Sequence, residues 1–214
     1  MDRIVDFTTQ SRGATVQSSN RRTDYRVAVP EAYLRELAIW FCPGRDYVRL
    51  SAAELGRPHL SVSKLGQGRI VLMDLSIRGL GLHATLPPAV TSRLLSAKTC
   101  FIYLKLWDPS ADDPYGELSV FTYNQLTRVA ETDGGLFLGT HFLRFAVGSR
   151  LEKALEFLDA RACGVSHLAH WCDNILRGGF TGPARPCGGL DMDNLLAEIE
   201  AALTHPCTAA EETI

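Results

Sequence analysis

The stretch Ile70-Val71-Leu72-Met73-Asp74-Leu75-Ser76-Ile77-Arg78-Gly79-Leu80-Gly81-Leu82-His83 decides the fold of this chain. One apolar run ends in a short polar segment and a second begins just after a glycine, which predicts two strands joined by a tight corner. The corner carries a carboxylate at Asp74 and a hydroxyl at Ser76, and Gly79 permits either a positive φ or the close approach of a ligand to the backbone. These groups suit a planar ligand that forms hydrogen bonds. The alternative is that Asp74 and Ser76 only complete the turn.

A cluster of arginines precedes the first predicted strand. Arg21, Arg22 and Arg26 lie within six positions of the chain. A guanidinium group forms paired hydrogen bonds with phosphate and with the O6/N7 edge of guanine, and it stacks on aromatic planes. The cluster therefore points to an anionic guanine nucleotide.

The order of these two motifs resembles that of the PilZ domain family, whose members are cytoplasmic bacterial receptors for the second messenger cyclic diguanylate. The resemblance is carried by R-x-x-x-R at Arg22 and Arg26 and by D-x-S-x-x-G at Asp74, Ser76 and Gly79. It implies that the two arginines clamp phosphate and guanine. It also implies that Asp74 and Ser76 hydrogen-bond a guanine or its sugar, and that Gly79 keeps the corner open.

Arg21 bears on how many ligands are bound. Within the family, the residue before R-x-x-x-R influences whether one or two ligand molecules are held. A third guanidinium at Arg21 would neutralise and stack on a second molecule, so the resemblance implies two ligands per chain. The alternative is that Arg21 is solvated and plays no part.

The sequence predicts a mainly β protein with an α appendage: a small antiparallel PilZ-like β-barrel followed by C-terminal helices. The clearest alternation places Cys100, Ile102 and Leu104 on one face of a strand and Phe101 and Tyr103 on the other. The predicted strands are 26–29, 37–41, 47–50, 69–73, 80–83, 99–106, 118–123, 125–130 and 136–142. Residues 33–68 form a longer link between the two motifs than is usual in the family, and parts of it, at 34–37 and 51–55, are compatible with helical turns.

After the barrel, the apolar spacing predicts one helix over 150–177. Its apolar residues recur at alternating intervals of four and three, as in the seam of a coiled coil. We therefore expect a homodimer through this helix, with packing on the barrel or on a last helix near 191–203 as the alternative. The predicted domains are a flexible arm at 1–20, a PilZ-like barrel at 21–147 and a helical extension at 148–214.

Composition narrows the classes of function. The chain has 214 residues, 46% of them hydrophobic, and a net charge of -2, which argues against a dedicated nucleic-acid or anionic-membrane binder. Its sequence has no apolar run long enough to span a bilayer and nothing that resembles a signal peptide, so we expect a cytoplasmic protein. Its six cysteines have no C-x-x-C spacing and are expected to be reduced.

Two alternatives to a nucleotide receptor come from the sequence. A PilZ-like adaptor that binds proteins but no nucleotide would keep the barrel, although such proteins tend to lack the arginine motif. Cys163, His167 and His170, with Cys172 or Cys187 as a fourth ligand, have the spacing of a helical metal or redox site, but no paired cysteine motif supports one, and we predict no metal. No recognisable catalytic motif is present, so we expect neither an enzyme nor a bound cofactor.

Overall fold

The computed structural model describes residues 25–42, 44, 46–61, 69–108, 110, 116–149 and 154–178. The strands are β1 (Val27–Ala28), β2 (Leu34–Cys42), β3 (Arg49–Ser51), β4 (Leu60–Ser61), β5 (Arg69–Ser76), β6 (Gly79–Thr85), β7 (Thr99–Trp107), β8 (Glu117–Thr132), β9 (Gly135–Ser149) and β10 (Ala154–Asp159). The helices are α1 (Ala52–Leu55), α2 (Pro88–Ser96) and α3 (His167–Leu176), and a 3₁₀ turn covers Glu31–Tyr33.

The strands form one antiparallel sheet that curls into a half-barrel. Its main path runs in the order β1-β5-β6-β9-β8-β7-β2-β4. Strand β9 is long enough to have two partners along the edge that faces away from β8: its first part pairs with β6 and its last part with β10, which also pairs with β3. The prediction of a mainly antiparallel β protein is confirmed.

Two hydrophobic cores lie on opposite faces of the central strands. On β7, Cys100, Ile102 and Leu104 enter one core, whereas Phe101 and Tyr103 enter the other. All nine residues of β7 are buried. The alternation that predicted this strand therefore separates two buried faces, rather than one buried face and one exposed face.

Helix α3 closes the first core next to β1 and β5. Leu168, Trp171 and Cys172 are buried in that core. The indole Nε1 of Trp171 donates a hydrogen bond to the carbonyl oxygen of Trp107, at 3.0 Å. This buried hydrogen bond ties α3 to the end of β7. None of the helices in the described ranges is long and apolar enough to cross a bilayer.

The structure contains the predicted strands with few changes in their bounds. The predictions at 118–123 and 125–130 merge into β8, because Asn124 is buried and bonded within the strand instead of forming a turn. In the 33–68 link, α1 confirms the helical turn near 51–55, whereas the helical turn at 34–37 is wrong because those residues begin β2. The sequence did not predict β4, β10 or α2.

The continuous helix predicted over 150–177 is wrong. Residues 154–159 form β10, in which Leu155 and Phe157 are buried in the second core and Leu158 is 48% exposed. Leu155 and Leu158 would share one face of a helix, but they lie on opposite faces of this strand because they are three positions apart. Gly164, with φ +74, has a left-handed backbone conformation that separates α3 from the residues before it. The homodimer predicted through this helix loses its structural basis.

The predicted domain division stays a prediction as a whole. Strand β10 belongs to the sheet although it lies in the segment predicted to be helical. The arm at 1–20 and the last helix near 191–203 lie outside the described residues.

We predict that Trp171→Ala lowers the free energy of unfolding by about 3 to 5 kcal/mol, because the change leaves a cavity and removes a buried hydrogen bond. Urea unfolding measures this loss. Leu176→Ala on the same helix is the control, since Leu176 is 58% exposed, and it should change the free energy by less than about 0.5 kcal/mol. Equal losses in the two variants would contradict the described position of α3.

Candidate functional site

Strand pairing brings together two of the residues that the motifs single out. In the β1–β5 pair, Val27 lies opposite Leu75 and Ala28 lies opposite Asp74. Arg26, which directly precedes β1, donates a hydrogen bond from Nη1 to Oδ1 of Asp74. The two residues are 48 positions apart in the sequence. The two side chains are 21% and 24% exposed. They form an ion pair that solvent still reaches, at the edge of the sheet.

The position of Asp74 depends on a glycine that the sequence analysis missed. Asp74 pairs with Gly81 just after a bulge in β5, and a methyl group on Gly81 would lie only 2.8 Å from Oδ1 of Asp74. Because Gly81 has no side chain, the carboxylate can lie over the β6 backbone. A glycine inside a strand pattern often marks such a close approach, and that signal was present in the sequence.

Ser76 completes the corner between β5 and β6. Its buried hydroxyl donates to the carbonyl oxygen of Gly79 at 3.1 Å and accepts from the backbone N–H of Arg78 at 3.3 Å. This is the role that the turn alternative predicts. The assignment of Ser76 as a ligand contact stays a prediction.

Gly79 lies against the chain's own backbone. A methyl group at this position would overlap the carbonyl oxygen of Thr140 on β9. Gly79 is not among the glycines with a positive φ, so the close approach of β9 is what requires a glycine here. The sequence suggested that a ligand could approach the backbone at Gly79, but β9 lies in that position.

The segment just before α3 is hydrogen-bonded to the same corner. The backbone N–H of Val165 donates to the carbonyl oxygen of Ile77 at 2.7 Å. Arg78 donates from Nη2 to the carbonyl oxygen of Ala162 at 2.8 Å. Gly164 approaches Ile77 so closely that a side chain would collide with it. The corner and the start of α3 therefore form one connected unit.

Tyr25, the residue just before Arg26, contacts α3. Its hydroxyl donates a hydrogen bond to Oδ1 of Asp173 on α3. This bond, with smaller contributions from desolvation and from the charge of Asp173, raises the pKa of Tyr25 to about 12. The two residues are 148 positions apart, so no local spacing in the sequence could have indicated the contact.

The remaining candidate residues either lie outside the described residues or have other neighbours. Arg21 and Arg22 lie outside the described residues, as does Cys187. Cys163 is exposed in the turn before α3, and the ring of His170 bonds to Asn174. Within the described ranges, no three histidine, cysteine or acidic side chains are grouped so that they could hold a metal ion.

Comparison with known proteins adds no relative. No protein-family model, curated protein or solved structure matches this chain significantly.

We predict that Gly79→Ala lowers the free energy of unfolding by about 1 to 3 kcal/mol, because the added methyl group forces β6 and β9 apart. Gly44→Ala is the matched control, since a methyl group there meets nothing within 4 Å, and it should lie within about 0.5 kcal/mol of the unmodified protein. Urea unfolding of both variants measures the difference. A Gly79→Ala protein as stable as the control would show that β9 does not approach this corner closely.

The alkaline titration of Tyr25 gives a second prediction. An ordinary tyrosine titrates at about 10, whereas the pKa of Tyr25 is raised to about 12 by its bond to Asp173. Because the folded-state pKa is raised, the bond stabilises the fold fully below about pH 10 and is lost as the pH rises through about 12. Tyrosinate absorbance should therefore lose a step near pH 12 in Tyr25→Phe. Loss of a step near pH 10 instead would contradict the contact.

Proposed function

We propose that this chain is a bacterial, cytoplasmic receptor for cyclic diguanylate with a PilZ-like barrel, and that it relays binding to a protein partner through a conformational change. One observation carries the proposal: the second arginine of R-x-x-x-R, Arg26, contacts the first residue of D-x-S-x-x-G, Asp74. The two motifs were identified separately in the sequence, and they meet at one edge of the sheet. The curled antiparallel sheet is compatible with a PilZ-like barrel.

The chemistry of this pair matches both parts of a guanine nucleotide. A guanidinium group binds phosphate or the O6/N7 edge of guanine, and a carboxylate accepts hydrogen bonds from the N–H groups on the opposite edge of the base. Without ligand, Arg26 and Asp74 satisfy each other. A ligand that offers both an anion and N–H donors replaces each partner in turn, so neither charge is left unpaired.

The rigidity of the corner also supports binding. Ser76 closes the turn, and Gly81 gives the Asp74 carboxylate its place over β6. Groups that are held in place before binding lose less conformational entropy when a ligand arrives. In this proposal Ser76 and Gly79 contribute mainly by holding Asp74. Arg21 and Arg22, which follow the arm in the sequence, also bind the ligand in this proposal, and Arg21 holds the second ligand molecule.

A protein-binding adaptor without a nucleotide is the second candidate. It is favoured by the uses that the fold already makes of the motif: Ser76 bonds within the corner, Gly79 packs against β9, and Asp74 is paired with Arg26. A PilZ-like sheet kept only for protein contacts would show the same bonds. Ligand binding therefore has to separate the two candidates.

Calorimetry with cyclic diguanylate should give a Kd in the micromolar range or below, about -8 kcal/mol or more favourable. Arg26→Ala should weaken binding by about 2 to 4 kcal/mol, because a charged contact to an anionic ligand is lost. Arg93→Ala is the matched control, since Arg93 is exposed on α2, and it should bind as the unmodified protein does.

Two results would contradict the proposal at different levels. Absence of heat with the unmodified protein at saturating ligand would leave the adaptor as the better function. Equal binding by Arg26→Ala and Arg93→Ala would remove Arg26 from the site.

A further inference from the structure

Helix α3 provides a fixed reference point beside the candidate site. Its inner face is buried in the first core, and Trp171 bonds to the end of β7. Its entry segment is hydrogen-bonded to the corner through Val165 and Ile77. Asp173 belongs to this helix and is therefore held in place relative to Asp74.

Strand β1 has little backbone pairing, and the side chains that anchor this part of the chain in the first core, Val27 and Val29, come after Arg26 in the sequence. The strand has two residues and lies at one end of the strand order. Beyond it, the Val29 N–H donates to the Met73 carbonyl oxygen at 3.3 Å, which is a long bond. Pairing over so few residues gives the backbone around Arg26 little cooperative stability.

Tyr25 supplies a contact that pairing over two residues cannot. Its hydroxyl bonds to Asp173, and the next residue, Arg26, reaches Asp74. The segment that carries Arg26 is thus tied on one side to α3 and on the other to β5. The two acceptors, Asp173 and Asp74, both belong to the connected unit of α3 and the corner.

We propose that Tyr25 is a positioning residue for ligand binding, and that its bond to Asp173 holds the segment before β1 so that Arg26 is presented next to Asp74. The identity of the ligand rests on the proposed function. The positioning of Arg26 by Tyr25 is a property of the ligand-free protein. Tyr25 is 49% exposed, so its hydroxyl adds little to the core, and its effect falls on the segment next to it.

The proposal has a reciprocal consequence. If the bond between Tyr25 and Asp173 makes binding tighter, then binding makes that bond more stable by the same factor. Ligand would then order the start of β1 against α3. The segment before β1 and helix α3 would be linked through one hydrogen bond, and the linkage gives a route by which occupancy of the site changes another surface of the protein.

The test is a double-mutant cycle on the full chain with Tyr25→Phe, Asp173→Ala and the two combined. Amide hydrogen exchange over residues 25–33 is measured without ligand, and cyclic diguanylate affinity is measured by calorimetry. Asp173→Asn keeps an acceptor oxygen and should retain most of the protection and affinity. Tyr47→Phe is the matched control, because Tyr47 packs on Phe101 and Tyr123 in the second core.

The expected result is faster exchange in Tyr25→Phe and Asp173→Ala, with affinity lower by about three- to tenfold in each and no lower in the double variant. Tyr47→Phe should change neither quantity. Unchanged exchange in Tyr25→Phe, or additive losses of affinity, would overturn the proposal. Absence of binding by the unmodified protein would overturn the proposed function, and the exchange measurement would then decide the positioning by itself.

Discussion

The burial of strand β7 on both faces is the constraint on which the rest of the described structure depends. A strand with no exposed residue needs a covering layer on each side. The β5–β6 corner and α3 help to cover one side, and β10 helps to cover the aromatic side through Leu155 and Phe157. The chain after β9 therefore crosses from one face of the sheet to the other, first as a strand and then as a helix.

This crossing places the start of α3 on the corner that carries Asp74. Val165 and Arg78 make the bonds that join the two, and Gly164 allows their backbones to meet. A requirement of the core thus fixes the surroundings of the candidate site. The carboxylates of Asp74 and Asp173 become two fixed points, and Arg26 and Tyr25 reach them from the segment just before β1.

Local patterns were enough to predict most of the sheet. Alternation identified the strand around Ile102, and the polar residues of the corner marked the turn after β5. Arg26 contacts Asp74, and the use of either residue as a ligand contact stays a prediction. The role found for Ser76 is the local turn role that the sequence offers as an alternative, whereas the role of Gly79 follows from β9, a partner strand that local sequence does not identify.

The errors and omissions have a common physical source. Leu155 and Leu158 fit a helical seam as well as a strand, and only the need to cover Phe101 and Phe121 decides between them. The contact of Tyr25 with Asp173 joins residues 148 positions apart and has no local signal. Tertiary packing overrides local periodicity in the first case, and tertiary structure alone produces the contact in the second.

The two ends of the main strand order, β1 and β4, are both only two residues long. Strand β1 pairs with only Asp74 and Leu75 of β5, and β4 pairs with only Ala38 and Ile39 of β2. Within the described residues, much of each longer strand therefore has an edge that its short neighbour does not cover. Edges of this kind are where an extended peptide adds a strand to a sheet through backbone hydrogen bonds.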